Sequence, residues 1–95
     1  MAKLTPSQID TRLKPLPEWT LFGDSIQRTY DFADFVKAMA FVQRAAEHAE
    51  RVEHHPDILI RYNKATLTLS THDAKGLTEK DFESAKAYDG MYGGT

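Results

Sequence analysis

At 95 residues, 41% of them hydrophobic and 27% charged, the chain has the size and composition of one modest globular domain over residues 1–95. A formal net charge of −2 lacks the basic excess that direct nucleic-acid binding demands, and the absence of cysteine excludes a disulfide framework, a thiolate nucleophile and a Cys-ligated zinc. No apolar run approaches the ~20 residues of a bilayer span and no signal-peptide core follows Met1, so the expectation is a cytoplasmic protein with no membrane partner.

Thr5-Pro6 reads as an N-cap with proline at the first helical position, opening a short helix that Pro15 ends. Residues 19–22 and 25–30 flank Gly23-Asp24 as a hairpin. Asp31 or Asp34 caps a long helix in which Phe32, Phe35, Val36, Met39, Val42, Ala46 and Ala49 recur at steps of three and four, and this stripe is expected to face the core. A second set, Ala38, Phe41, Ala45 and Val52, widens the apolar surface, with two readings: a broad core stripe, or a helix that also packs on another subunit. After Pro56, residues 58–62 and 65–71 read as strands joined by Asn63-Lys64. Gly76 breaks the chain. Thr78 then caps a last helix to about Tyr88, with Asp81 as an acidic capping-box partner, and residues 90–95 are expected to fray. Helix, two strands, helix, two strands, helix is an α+β order. It predicts a two-layer domain, a four-stranded antiparallel sheet with helices on one face and the other face free for chemistry.

With Asn63-Lys64 as loop residues, Ile60 opposes Leu67 and Ile58 opposes Leu69, and extending the ladder past Asp57 and Ser70 sets His55 against His72. Ile58, Ile60, Tyr62, Leu67 and Leu69 then share the apolar face, while His55, Asp57, Arg61, Thr66, Thr68, Ser70 and His72 share the polar one. Glu50 precedes His54 by four residues, a spacing at which a carboxylate orients an imidazole. Asp81 has two readings, a return to this cluster or a partner of the helix N-terminus.

Glu50, three residues, His54-His55-Pro56, five residues, Tyr62, nine residues, His72, and eight residues to Asp81 form a pattern that resembles the signature of the pterin-4a-carbinolamine dehydratases, also called dimerisation cofactors of a liver homeodomain transcription factor. The resemblance runs from the first helix to about Tyr88. It implies dehydration of 4a-hydroxytetrahydropterin, of the 4a-hydroxytetrahydrobiopterin type, to quinonoid dihydropterin in tetrahydropterin recycling, with a two-layer domain assembled as a homodimer or homotetramer. By matching position, His54, His55 and His72 are the catalytic trio and Glu50 and Asp81 support them. The substrate contacts are His54, His55, Pro56, Thr71, His72, Asp73 and Ala74. No cofactor and no metal are implied, and an aromatic amino-acid hydroxylase is an expected partner. The other function in the family is a non-catalytic scaffold or transcriptional coactivator role for the long helix.

Loss of water from the 4a-carbon needs a proton given to the departing hydroxyl and one taken from N5, and imidazoles near neutrality do both. A three-histidine zinc site needs converging imidazoles, whereas adjacent His54 and His55 point apart in extended chain. His48 falls outside the signature and reads as a solvated helix residue.

Overall fold

The computed structural model describes residues 2–93. Thr5 and Gln8 close a reciprocal capping box: the Thr5 hydroxyl accepts the Gln8 N–H at 3.2 Å and Gln8 Oε1 accepts the Thr5 N–H at 2.9 Å. This starts α1 (Pro6–Leu13), after which β1 (Thr20–Phe22) turns through Gly23, at φ 60, into β2 (Ser25–Asp31). Asp34 accepts the Lys37 N–H at 2.9 Å and caps α2 (Phe35–Val52). Then come β3 (Asp57–Arg61), β4 (Lys64–Leu69), a 3₁₀ turn at His72–Ala74 and α3 (Glu79–Gly93).

The strands form one antiparallel sheet in the order β1-β2-β4-β3. Strand alternation sends Ile26, Tyr30, Ala65, Leu67 and Leu69 to the face under the helices, where all five are fully buried. On the opposite face Gln27 bonds Thr68 and Thr29 bonds Thr66, at 3.0 and 2.8 Å. The expected α+β architecture is the observed one. Among the described residues no helix is long and apolar enough to cross a membrane.

Three expectations are corrected. The β3–β4 turn is Tyr62-Asn63, with Tyr62 at φ 53, and Ile58 pairs with Leu67 and Ile60 with Ala65. Phe32 fixes this turn from outside the hairpin, because its N–H donates to the Asn63 carbonyl at 2.8 Å and its carbonyl accepts Asn63 Nδ2 at 2.9 Å. The register is shifted by two residues, which preserves the faces but removes the His55–His72 ladder pair.

On α2 the buried set is Ala38, Phe41, Ala45 and Ala49, while Phe35, Val36, Met39 and Val52 are exposed. The stripe expected in the core is thus largely the outer one. Small alanines let the helix lie close to the sheet, and Phe41 anchors it against Tyr30 with ring centroids 4.7 Å apart.

The last helix continues to Gly93 instead of ending near Tyr88. Asp89 Oδ1 accepts Trp19 Nε1–H at 3.0 Å, Arg28 Nη1–H at 2.8 Å and the Tyr30 hydroxyl at 2.5 Å, and the Tyr92 hydroxyl donates to the Asp31 carbonyl at 2.9 Å. These bonds pin residues that the glycines alone would leave to fray. Burial, then the Asp89 contact, raises the Tyr30 phenol above its ordinary range. Of the expected frayed tail, residues 94 and 95 lie outside the described residues.

Candidate active site

The end of α2 separates the two adjacent histidines. Glu53 takes the left-handed conformation at φ 53, and both its N–H and that of His54 donate to the Ala49 carbonyl. For a residue with a Cβ that conformation costs about 1–2 kcal/mol, so the contacts of the flanking residues must hold the turn. Beyond it, His54 turns inward and is 9% exposed, whereas His55 turns outward.

His54 Nε2 lies 2.6 Å from Oδ1 of Asp81, whose carboxylate is fully buried. The other oxygen of Asp81 accepts the Thr71 hydroxyl at 2.8 Å and the Thr78 N–H at 2.9 Å. Asp81 therefore has both of its expected roles, partner of the helix N-terminus and member of the histidine cluster. The Thr78 hydroxyl does not complete the capping box; it bonds the Thr71 hydroxyl at 2.9 Å. Glu50 meets His55 instead of the expected His54, with Oε2 2.5 Å from Nε2. The α-helix stops at Val52, so the helical spacing that would join Glu50 to His54 does not persist.

His72 opens the 3₁₀ turn and is exposed. Left-handed Lys75 closes the turn by donating its N–H to the His72 carbonyl at 3.0 Å, and Thr71 and Gly76 bridge its ends. The N-terminal segment braces this loop: the Leu4 N–H donates to the Leu77 carbonyl at 2.8 Å, and a Cβ on Gly76 would stand 2.7 Å from the Lys3 stem.

His55 and His72 line one cleft of about 400 Å³ over the end of the polar sheet face. Asp57 and Thr68 continue its floor, with Ser70 and Thr71 beside His72. Asp24, Ser25, Lys75 and Gly76 complete the wall. The two expected histidines therefore share one cleft and are not a ladder pair. His54 does not line it. That side chain sits behind, joined to the cleft through Asp81 and Thr71, and lines a separate cavity of about 270 Å³ with His48, Lys80 and Glu83. Pro56, Asp73 and Ala74 are absent from the cleft lining, although they flank residues within it. Among the described residues no three His, Cys, Asp or Glu side chains form a metal-donor group.

Asp24 and Lys75 were not singled out by the sequence. Both sit at turn positions with no periodicity, and Asp24 read only as a hairpin turn residue. His48 differs from its expectation. It is half-buried, edge-on to Tyr88 with centroids 5.4 Å apart, and desolvation, then the Arg51 cation, lowers its pKa. Burial pushes the Tyr88 phenol up to about 12, and its hydroxyl has no hydrogen-bond partner among the described residues.

Residues 2–91 match the family model described as pterin 4 alpha carbinolamine dehydratase. A protein of Acidobacterium capsulatum named "Putative pterin-4-alpha-carbinolamine dehydratase" is 54% identical over 91 residues, covering 96% of this chain and 99% of that one. A similarly named protein of Gloeobacter violaceus is 52% identical over 91 residues, with 92% and 99% covered. Among solved structures, a transcriptional coactivator/pterin dehydratase from Brucella melitensis superposes with a TM-score of 0.92 at 34% identity over 95% of this chain and 98% of that one. A pterin dehydratase-like RuBisCO assembly factor of the alpha-carboxysome shares the fold, with a TM-score of 0.67 at 20% identity over 79% of this chain and 87% of that one.

Proposed function

The chain belongs to the pterin 4 alpha carbinolamine dehydratase family, and from that membership we propose that it dehydrates 4a-hydroxytetrahydropterin, of the 4a-hydroxytetrahydrobiopterin type, by histidine acid–base catalysis. The observation that carries the mechanism is that His55 and His72 line one cleft while Glu50 holds His55 from outside it. One imidazole delivers a proton to the 4a-hydroxyl and the other accepts the N5 proton. The C4a–O bond breaks, the N5–C4a double bond forms, and water leaves with quinonoid dihydropterin. No oxidation state changes. His54, behind the cleft, acts as a positioning residue: through Asp81 it fixes Thr71, the neighbour of His72. Pro56, Asp73 and Ala74 then shape the segments that carry His55 and His72.

In this reading the protein acts in tetrahydropterin recycling in the cytoplasm, with an aromatic amino-acid hydroxylase generating the substrate. A dehydratase assay on freshly generated 4a-hydroxytetrahydropterin tests the reading, and a rate no faster than the uncatalysed one overturns it.

The exposed face of α2 favours a second reading. Phe35, Val36 and Met39 line an apolar groove of about 520 Å³ on the helix exterior, a surface suited to another copy of this chain or to a scaffold or coactivator role. Loss of both cleft histidines would leave that role intact, so it separates from the enzyme by mutation.

A further inference from the structure

Asp24 lines the cleft with the histidines, on the side away from His55. It occupies the β1–β2 turn, and its carbonyl accepts the Ser70 hydroxyl at 2.8 Å, which ties the turn to the end of β4. In the order β1-β2-β4-β3, β2 and β3 are two strand spacings apart, about 10 Å at ~4.8 Å each. Asp24 and Ser25 therefore form the wall opposite His55. Asp57, two residues from His55, lies on the cleft floor on the His55 side. Among the described residues no cationic side chain lies within 4.0 Å of the Asp24 carboxylate, so its acceptor capacity is not spent on an ion pair.

Resting on the dehydratase reading, we propose that Asp24 is a specificity-determining residue whose carboxylate receives the 2-amino-4-oxopyrimidine edge of the pterin. A pterin has two chemically different ends. The C4a and N5 atoms react, and the far edge presents two adjacent donors, N3–H and the 2-amino group. A carboxylate offers two acceptor oxygens at matching spacing, the complement that makes guanidinium–carboxylate pairs bidentate. With the reacting end toward His55, two strand spacings of about 10 Å leave room for a flat two-ring molecule with a hydrogen bond of ~2.9 Å at each end. Lys75 is a donor only and suits the 4-oxo group instead.

The test uses two fluorescent probes that cannot react, 6-methylpterin and 6-methyllumazine. Lumazine carries an oxo group in place of the 2-amino group, so its edge has one donor and one acceptor. Asp24→Asn replaces two acceptors by one acceptor and one donor, which matches lumazine. Wild type is expected to bind the pterin about 10- to 100-fold more tightly than the lumazine, and Asp24→Asn to abolish or reverse that preference. Asp57→Asn should keep it. Thermal melts show that each variant is folded. A preference unchanged in Asp24→Asn, a preference lost in Asp57→Asn instead, or a wild type without preference overturns the assignment. A wild type that binds neither probe overturns it too, and the dehydratase assay shows separately whether the catalytic reading falls with it.

Discussion

Asp81 Oδ1 lies 2.6 Å from His54 Nε2, across 27 residues of sequence, with the carboxylate fully buried. The same carboxylate accepts the Thr71 hydroxyl and the Thr78 N–H, so one side chain joins the end of α2, the start of α3 and the segment leading to His72. Removing it leaves the Thr78 N–H and His54 Nε2 without their partner, while the Thr71 hydroxyl keeps only that of Thr78. Each unsatisfied buried donor costs about 1–3 kcal/mol, and truncating the buried side chain adds the loss of its packing. Asp81→Ala should therefore lose about 3–5 kcal/mol in urea unfolding. A loss below about 1 kcal/mol would show that the network does not hold these elements together.

The two cleft histidines should separate activity from stability. Both are exposed and neither contributes to the core, so His55→Ala and His72→Ala should leave no cavity and shift the thermal midpoint little. Each should lower kcat about 10²- to 10⁴-fold, the usual contribution of a positioned acid or base. His54→Ala should behave differently, losing stability together with rate, because it strips Asp81 of a buried partner. Wild-type rates in both cleft variants would rule out the proton-transfer roles.

Much of this arrangement is legible in the amino-acid sequence. Caps written in local chemistry, Thr5-Pro6 and Asp34, are readable because a helix start depends on a few adjacent residues. The polar face of the β3–β4 hairpin is readable because alternation survives a shift of two. The register is not, since it depends on Phe32 gripping Asn63 from elsewhere in the chain. Nor is the buried side of α2: two neighbouring apolar faces share one periodicity, and only the sheet beneath decides between Phe41 and Phe35. Pairing within the site escapes for a similar reason. Whether Glu50 meets His54 or His55 turns on a single left-handed residue, Glu53, which the sequence does not mark with glycine.

The outer face of α2 should drive self-association. Phe35 is 47% exposed, Val36 73% and Met39 39%, on adjacent turns of one helix. Contiguous apolar surface of this kind marks an interface more often than free surface. Light scattering at micromolar concentration should report a homodimer or homotetramer of the 10.8 kDa chain, and Val36→Glu should yield folded monomer. A wild type that scatters as a monomer would contradict the assignment, as would a Val36→Glu protein of unchanged mass.

His48 should make stability fall on the acid side. Packed edge-on to Tyr88 and one helical turn from Arg51, its imidazole is harder to protonate in the folded protein than at its ordinary value of 6.5. Desolvation is the largest cause of the downward shift and the Arg51 cation the second; Lys80 and Glu83 line the same cavity. The unfolded chain therefore takes up a proton that the folded chain does not, at every pH between the folded pKa and 6.5. The stability from this group is complete above the unfolded pKa and is lost as pH falls through the folded one. His48→Gln cannot titrate and keeps most of the side-chain volume against Tyr88, so its unfolding free energy should vary less with pH. Urea melts of both proteins at about pH 5, 6 and 7.5 measure the two slopes across that window. The wild type should lose more stability than His48→Gln between the highest and lowest of these. Its dehydratase rate near neutral pH should match that of the variant, because His48 does not line the cleft with His55 and His72. Parallel pH slopes would remove His48 as a source of the acid-side loss.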